Sequence, residues 1–105
     1  MVRHISVFLF RDCPEKERNI RAVEEFLADM PERYPPMRSQ TVSRPAGLVP
    51  HPPEDAPVAF GDLIQVADFD TLADCDGYPL SEAHAALAEF STAMMRKIVV
   101  MDYEV

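Results

Sequence analysis

VRHISVFLF (Val2–Phe10) opens the chain with β-branched and aromatic residues and halts at Arg11-Asp12, which is the composition of a strand. Its apolar residues from Ile5 onward occupy both parities, Ile5, Val7 and Leu9 on one and Phe8 and Phe10 on the other. KIVVMDYEV (Lys97–Val105) at the far end has the same character, with Ile98 to Met101 apolar throughout. A sheet with helices on one face and water on the other should alternate apolar and polar, so the second face of these strands needs its own cover. A symmetric copy of the same sheet supplies it, and two such sheets packed together make a closed α+β barrel.

Between these strands the residues specify the rest of the order. Asp12 and Glu15, with Pro14 between them, resemble a capping box that opens a helix. Ile20, Val23, Leu27 and Met30 recur at helical spacing with Phe26 beside them, and the helix should end near Arg33, before Pro35-Pro36. Residues 37–43 (MRSQTVS) alternate weakly and read as a short exposed strand. Five prolines, one glycine and His51 make residues 45–57 a loop and a candidate lid. Residues 58–69 (VAFGDLIQVADF) read as a strand, bent or bulged at Gly61. Asp70 is placed to cap a helical turn that breaks at Gly77, and Tyr78, which precedes Pro79, is expected to be extended. Ser81 is the N-cap of a final helix reaching about Met95, with Leu80 as its hydrophobic staple and Leu87, Phe90 and Met94 on its apolar face. Strand, helix, strand, strand, short helix plus helix, strand is the order of a split βαβ, or ferredoxin-like, α+β unit with a four-stranded antiparallel sheet. Residues 1–105 form one domain on this reading, long enough to bury a core.

A formal charge of −8 opposes general affinity for nucleic acid or anionic lipid, both of which need a basic footprint. The first apolar stretch is too short to span a bilayer and lacks a small-residue cleavage site, so a cytoplasmic protein is expected. Cys13 and Cys75 have no CxxC partner and no histidine at metal-ligand spacing, so free thiols are expected and neither a disulfide nor a metal site. No Gly-rich phosphate loop or nucleophile elbow is present, and no cofactor is expected.

His84 falls in line with Leu87, Ser91 and Met94 on the apolar side of the last helix. It is either a core histidine satisfied by a carbonyl or a base held neutral by burial and the helix N-terminus. Tyr78 is either a packing residue or, brought back over the first helical turn by Pro79-Leu80, the acid partner of that imidazole. His4 shares a strand face with Ser6 and Phe8, lining the same pocket or packing under the first helix. His4, Ser6, Phe8, Phe26 and Leu87 are the expected binding wall. His51 is read as a solvated loop residue with a lesser chance of closing over ligand, and Arg38, Arg44, Arg96 and Lys97 as solvated charge or a landing site for a phosphate-bearing carrier.

VRHISVFLFRD, GDLIQVADFD, GYPLSEAHAALAEF and the terminal KIVVMDYEV together resemble the stress-responsive A/B barrel (Dabb) family of the dimeric α+β barrel superfamily, over nearly the whole chain. The resemblance implies a homodimer, and the spacing of Tyr78 and His84 is similar to that in olivetolic acid cyclase-type polyketide cyclases, with His4 matching their strand-one histidine. Two departures stand out: Ser81-Glu82-Ala83-His84 replaces a His-Pro-x-His run, and Leu63 replaces a third-strand histidine. The implied function is a cofactor-independent cyclase, or a related lyase or isomerase, acting by aldol-type condensation on a small ketone-bearing metabolite, free or carrier-tethered. The alternatives are a non-catalytic barrel that binds an apolar ligand and a cofactor-free monooxygenase.

Overall fold

A computed structural model describes residues 1–105. β1 (Val2–Phe10) is followed by α1 (Lys16–Leu27), α2 (Met30–Arg33), β2 (Met37–Ser43), β3 (Leu63–Phe69), α3 (Leu72–Gly77), α4 (Glu82–Ser91) and β4 (Met95–Glu104). The strands form one antiparallel sheet in the order β2-β3-β1-β4, the ferredoxin-like arrangement. No helix is long and apolar enough to cross a membrane.

β1 is central, and the period of two decides what each residue meets. Val2, His4, Ser6, Phe8 and Phe10 are buried, while Arg3, Ile5 and Val7 are half-buried. β3 repeats the pattern, with Leu63, Gln65, Ala67 and Phe69 buried. Ile20, Val23 and Leu27 of α1, Met30, Cys75, Tyr78 and Leu87 close the core over that inner face. On the other face Ile5 pairs with Val66 and Met101, and Val7 with Ile64 and Val99, making an apolar patch with Val99 and Met101 exposed. That is the uncovered face that the double-parity strands require.

Several local expectations are corrected. No capping box forms: Glu15 holds the N-cap position without a side-chain bond, and the Asp12 carboxylate accepts instead from Lys16 Nζ at 2.9 Å. The first helix ends at Leu27 because Pro31 has no N–H for the Leu27 carbonyl, which accepts from Gln40 Nε2 at 2.7 Å. β3 starts at Leu63, not at Val58, because Leu63 pairs with Phe8 where the β1 register ends, and Val58 and Phe60 are exposed. Thr71, not Asp70, caps α3 by accepting from the Asp74 N–H, and Asp70 pairs with Arg38. Tyr78 is helical (φ −59°, ψ −54°) despite Pro79. Its N–H donates to Cys75 and its carbonyl accepts from Ser81, and burial of the whole ring offsets the pre-proline strain. Ser81 does cap α4, accepting from the His84 N–H at 3.1 Å, but Leu80 is 87% exposed and staples nothing. α4 stops at Ser91, followed by a 3-10 turn at Thr92–Met94, because Met95 is already paired with Phe10. Phe90 is partly exposed and stacks on Phe26 rather than joining the core.

Gly61 has a steric reason. A Cβ there would collide with Val7 Cγ1, whereas one at Gly47 would meet nothing within 4 Å. The β-branched Val7 can swing aside only by leaving its rotamer or moving β1. Gly61→Ala should therefore lose about 1–3 kcal/mol in urea unfolding, and Gly47→Ala should stay within about 0.5 kcal/mol of the parent.

Candidate functional site

A cavity of about 360 Å³ lies between the inner face of β1 and β4 and the flank of α4. β1 contributes His4, Ser6 and Phe8; α4 contributes His84, Leu87, Ala88 and Ser91; β4 contributes Ile98, Val100 and Asp102. The walls are apolar at the Phe8, Leu87, Ile98 and Val100 end and polar at the other. Of the expected binding residues, His4, Ser6, Phe8 and Leu87 line this cavity. Phe26 does not: it sits in the helix layer, stacked on Phe90 at 4.9 Å between centroids, with the Arg33 guanidinium 4.4 Å over its ring.

Antiparallel register assembles the polar end. His4 and Ser6 are two apart on one strand and so share a face, and His4 lies opposite Asp102 on β4. His4 Nδ1 is 2.6 Å from Asp102 Oδ1, and Ser6 Oγ is 2.9 Å from His4 Nε2. Both nitrogens of His4 are thus engaged. No side chain is hydrogen-bonded to the His84 ring, which lines the cavity from α4 while its backbone N–H serves the Ser81 cap. Burial, and after it the neighbouring His4, lowers the His84 pKa, so the ring is a neutral base at pH 7.

Tyr78 stands behind this wall rather than in it. Its ring meets His84 edge-on at 4.9 Å and His4 edge-on at 5.4 Å between centroids, so it touches both imidazoles at once. Its hydroxyl accepts from Gln65 Nε2 at 3.2 Å, and Gln65 also donates to Gln40 at 2.7 Å. Burial raises the phenol pKa and keeps it protonated.

Three participants were not singled out from the sequence. Gln65 is the one polar residue at an inward position of β3, a signal that parity alone carries. Asp102 becomes visible only once the β1 and β4 register is known. Cys75 Sγ, His4 and Asp102 offer ligand atoms within 4.8 Å of one another, the one grouping that could hold a metal. These donors are turned on each other: burial, with the Asp102 charge and hydrogen bond, pushes the Cys75 thiol up to about 11. The thiol stays protonated, a poor start for a metal ligand.

His51 and the proline-rich segment lie elsewhere, along grooves shared with Lys16 and Asp62, so this segment does not roof the cavity. Arg44 is held by Glu17 and Glu24, and Arg38 by Asp70. Arg96 and Lys97 border grooves outside the cavity.

The lowered His84 pKa has a consequence for stability. The unfolded chain takes up a proton on this histidine near its usual pKa of about 6.5, while the folded ring resists until lower pH. Its contribution is full above that value and is lost as pH falls through the depressed folded pKa. Urea midpoints should therefore drop on acidification below about pH 6.5, and His84→Gln should flatten that slope relative to the parent.

Known proteins reinforce the fold. A dimeric protein of unknown function with a ferredoxin-like fold from Bacteroides fragilis superimposes with a TM-score of 0.80 at 22% identity, covering 99% of this chain and 95% of that one. The hydroxynitrile lyase of Passiflora edulis superimposes with a TM-score of 0.77 at 18% identity, covering 99% and 92%. An antibiotic biosynthesis monooxygenase superimposes at 0.70 and 12% identity, covering 100% and 98%. No curated protein matches the chain in sequence. The model of the stress responsive A/B barrel domain matches residues 2–105, and with the split βαβ sheet and its uncovered apolar face this makes the chain a member of the Dabb family.

Proposed function

We propose that the cavity is the active site of a cofactor-independent acid-base enzyme, a cyclase or related lyase, acting on a small ketone-bearing molecule in a homodimer. The observation that carries this reading is His84: a half-buried imidazole kept neutral by burial, with no side-chain hydrogen-bond partner, lining a chamber that is apolar at one end. The hydroxynitrile lyase that shares the fold supports lyase chemistry on such a scaffold.

In this reading His84 takes a proton from a methylene flanked by carbonyls. The resulting enolate carbon attacks a further, more distant carbonyl of the same molecule, and the alkoxide formed takes the proton from His84. Such a methylene is acidic enough for an imidazole, and no metal or nucleotide is needed for either step. Phe8, Leu87, Ile98 and Val100 hold the apolar part of the substrate. Tyr78 fixes the His84 ring by edge contact.

The dimer is proposed on the face bearing Ile5, Val7, Ile64, Val66, Val99 and Met101. Two subunits of charge −8 repel, but salt screens exposed charge over about 8–10 Å, while apolar burial contributes about 25 cal/mol per Å². Light scattering should give twice 11.8 kDa, and Val99→Asp should shift the population to monomer.

With a β-polyketone as substrate, His84→Ala should lower kcat by about 10² to 10⁴ while circular dichroism stays unchanged. Tyr78→Phe keeps the ring and removes only the Gln65 bond, so it should cost about tenfold or less. Wild-type turnover in His84→Ala would refute the assignment. Tight binding of the polyketone without turnover would favour a non-catalytic binding barrel.

A further inference from the structure

The polar end of the cavity holds an arrangement that the His84 chemistry does not use. Ser6 Oγ, His4 and Asp102 stand in line, with contacts of 2.9 Å to Nε2 and 2.6 Å from Nδ1, and all three border the cavity. A carboxylate can only accept, so Nδ1 carries a ring hydrogen, and in the neutral ring Nε2 then accepts from the Ser6 hydroxyl. That is the tautomer a serine nucleophile requires of its base, and the logic is one of geometry and roles, independent of fold or chain order.

We propose that Ser6 is a nucleophile for acyl transfer, with His4 as its general base and Asp102 as the residue that positions His4, and that its substrates are small activated acyl compounds, esters or thioesters with an apolar acyl chain. This goes beyond the carbon-acid chemistry of His84 and does not rest on it. Ser6 Oγ attacks the carbonyl carbon as His4 Nε2 takes the hydroxyl proton, forming a C–O bond and a tetrahedral intermediate. Collapse breaks the C–O or C–S bond to the leaving group, and His4 returns the proton to the departing alkoxide or thiolate. Water then attacks the acyl-Ser6 ester, with His4 taking and returning one proton, which releases the carboxylic acid and restores Ser6.

Cavity and sheet together narrow the substrate. About 360 Å³ admits only a short chain, which Phe8, Leu87, Ile98 and Val100 would receive. Ser6 lies on the central strand, paired with Gln65 on one side and Val100 on the other, so its backbone belongs to the ladder. The oxyanion must therefore be met by side chains. A site without backbone oxyanion donors favours good leaving groups and slow turnover.

The full-length protein treated with an alkyl fluorophosphonate, and separately with p-nitrophenyl butyrate, tests this. Intact mass should show one adduct per chain, and peptide mapping should place it on Ser6. Ser6→Ala should take no label and lose p-nitrophenyl butyrate hydrolysis. His4→Gln and the isosteric Asp102→Asn should label at least about 100-fold more slowly while circular dichroism is unchanged. An unlabelled wild type, an adduct mapped to any other residue, or Ser6→Ala hydrolysing the ester at the wild-type rate would overturn the proposal. If Ser6→Ala does not fold, the mapped position of the wild-type adduct decides the matter alone. Turnover of a β-polyketone reads the His84 proposal separately, because that reaction forms no acyl-Ser6.

Discussion

β1 is hydrogen-bonded on both sides, and that double pairing governs the rest of the molecule. A central strand cannot rotate about its axis without breaking two ladders, so its even residues are committed to the helix-covered face. Two of those residues, His4 and Ser6, are polar. Burying them without partners would cost several kcal/mol, of the order of an unmet hydrogen bond for each polar atom. Asp102 on β4 and the Ser6–His4 contact remove that cost, and the register that pairs His4 with Asp102 is the same one that aligns the apolar patch on the opposite face. One alignment of two strands therefore serves the polar end of the cavity and the face proposed for dimerisation.

The helix layer completes the cavity through aromatic contact more than through hydrogen bonding. Tyr78 wedges between the rings of His4 and His84, with Tyr34 and Phe69 packed behind it at 5.6 and 6.0 Å. A rigid ring with few rotatable bonds holds two imidazoles at fixed attitudes with little entropy left to lose. Gln65 anchors the far end of that ring, and Gln40 in turn ties Gln65 to the end of α1 through the Leu27 carbonyl. The break that Pro31 imposes on the first helix thus frees the carbonyl that secures the support behind the cavity.

The proposed lyase chemistry and the proposed serine chemistry occupy opposite walls of one chamber. They differ in what each imidazole has left to give. His84 has no side-chain partner and is free to exchange a proton with a substrate carbon, whereas His4 is held between a hydroxyl and a carboxylate and can act only through Ser6. A thioester-borne ketone would present both reactive groups at once, the thioester carbonyl to one wall and the acidic methylene to the other.

The sequence by itself determined the layer architecture, the strand order in outline, the Ser81 cap and the existence of a second apolar face, because these follow from periodicity and from the backbone preferences of single residues. The Tyr78 and His84 pairing was also legible, since only the short Pro79-Leu80 turn and the Ser81 cap separate Tyr78 from the first turn of the helix that carries His84. Only the tertiary structure decided which residues face His4. Asp102 is 98 positions away, and nothing local marks it apart from any other aspartate on a strand. Tertiary packing also overruled local preference at Tyr78, where burial of the ring outweighs the pre-proline bias, whereas at Pro31 a local rule, the lost amide, ends a helix that the apolar spacing alone would continue. Phe26 was misplaced for a related reason: helical spacing tells which side of a helix is apolar, but not whether that side meets the sheet, a neighbouring helix or a cavity. Spacing along one chain constrains neighbours in sequence, and register between strands, which is set by the whole sheet, constrains the rest.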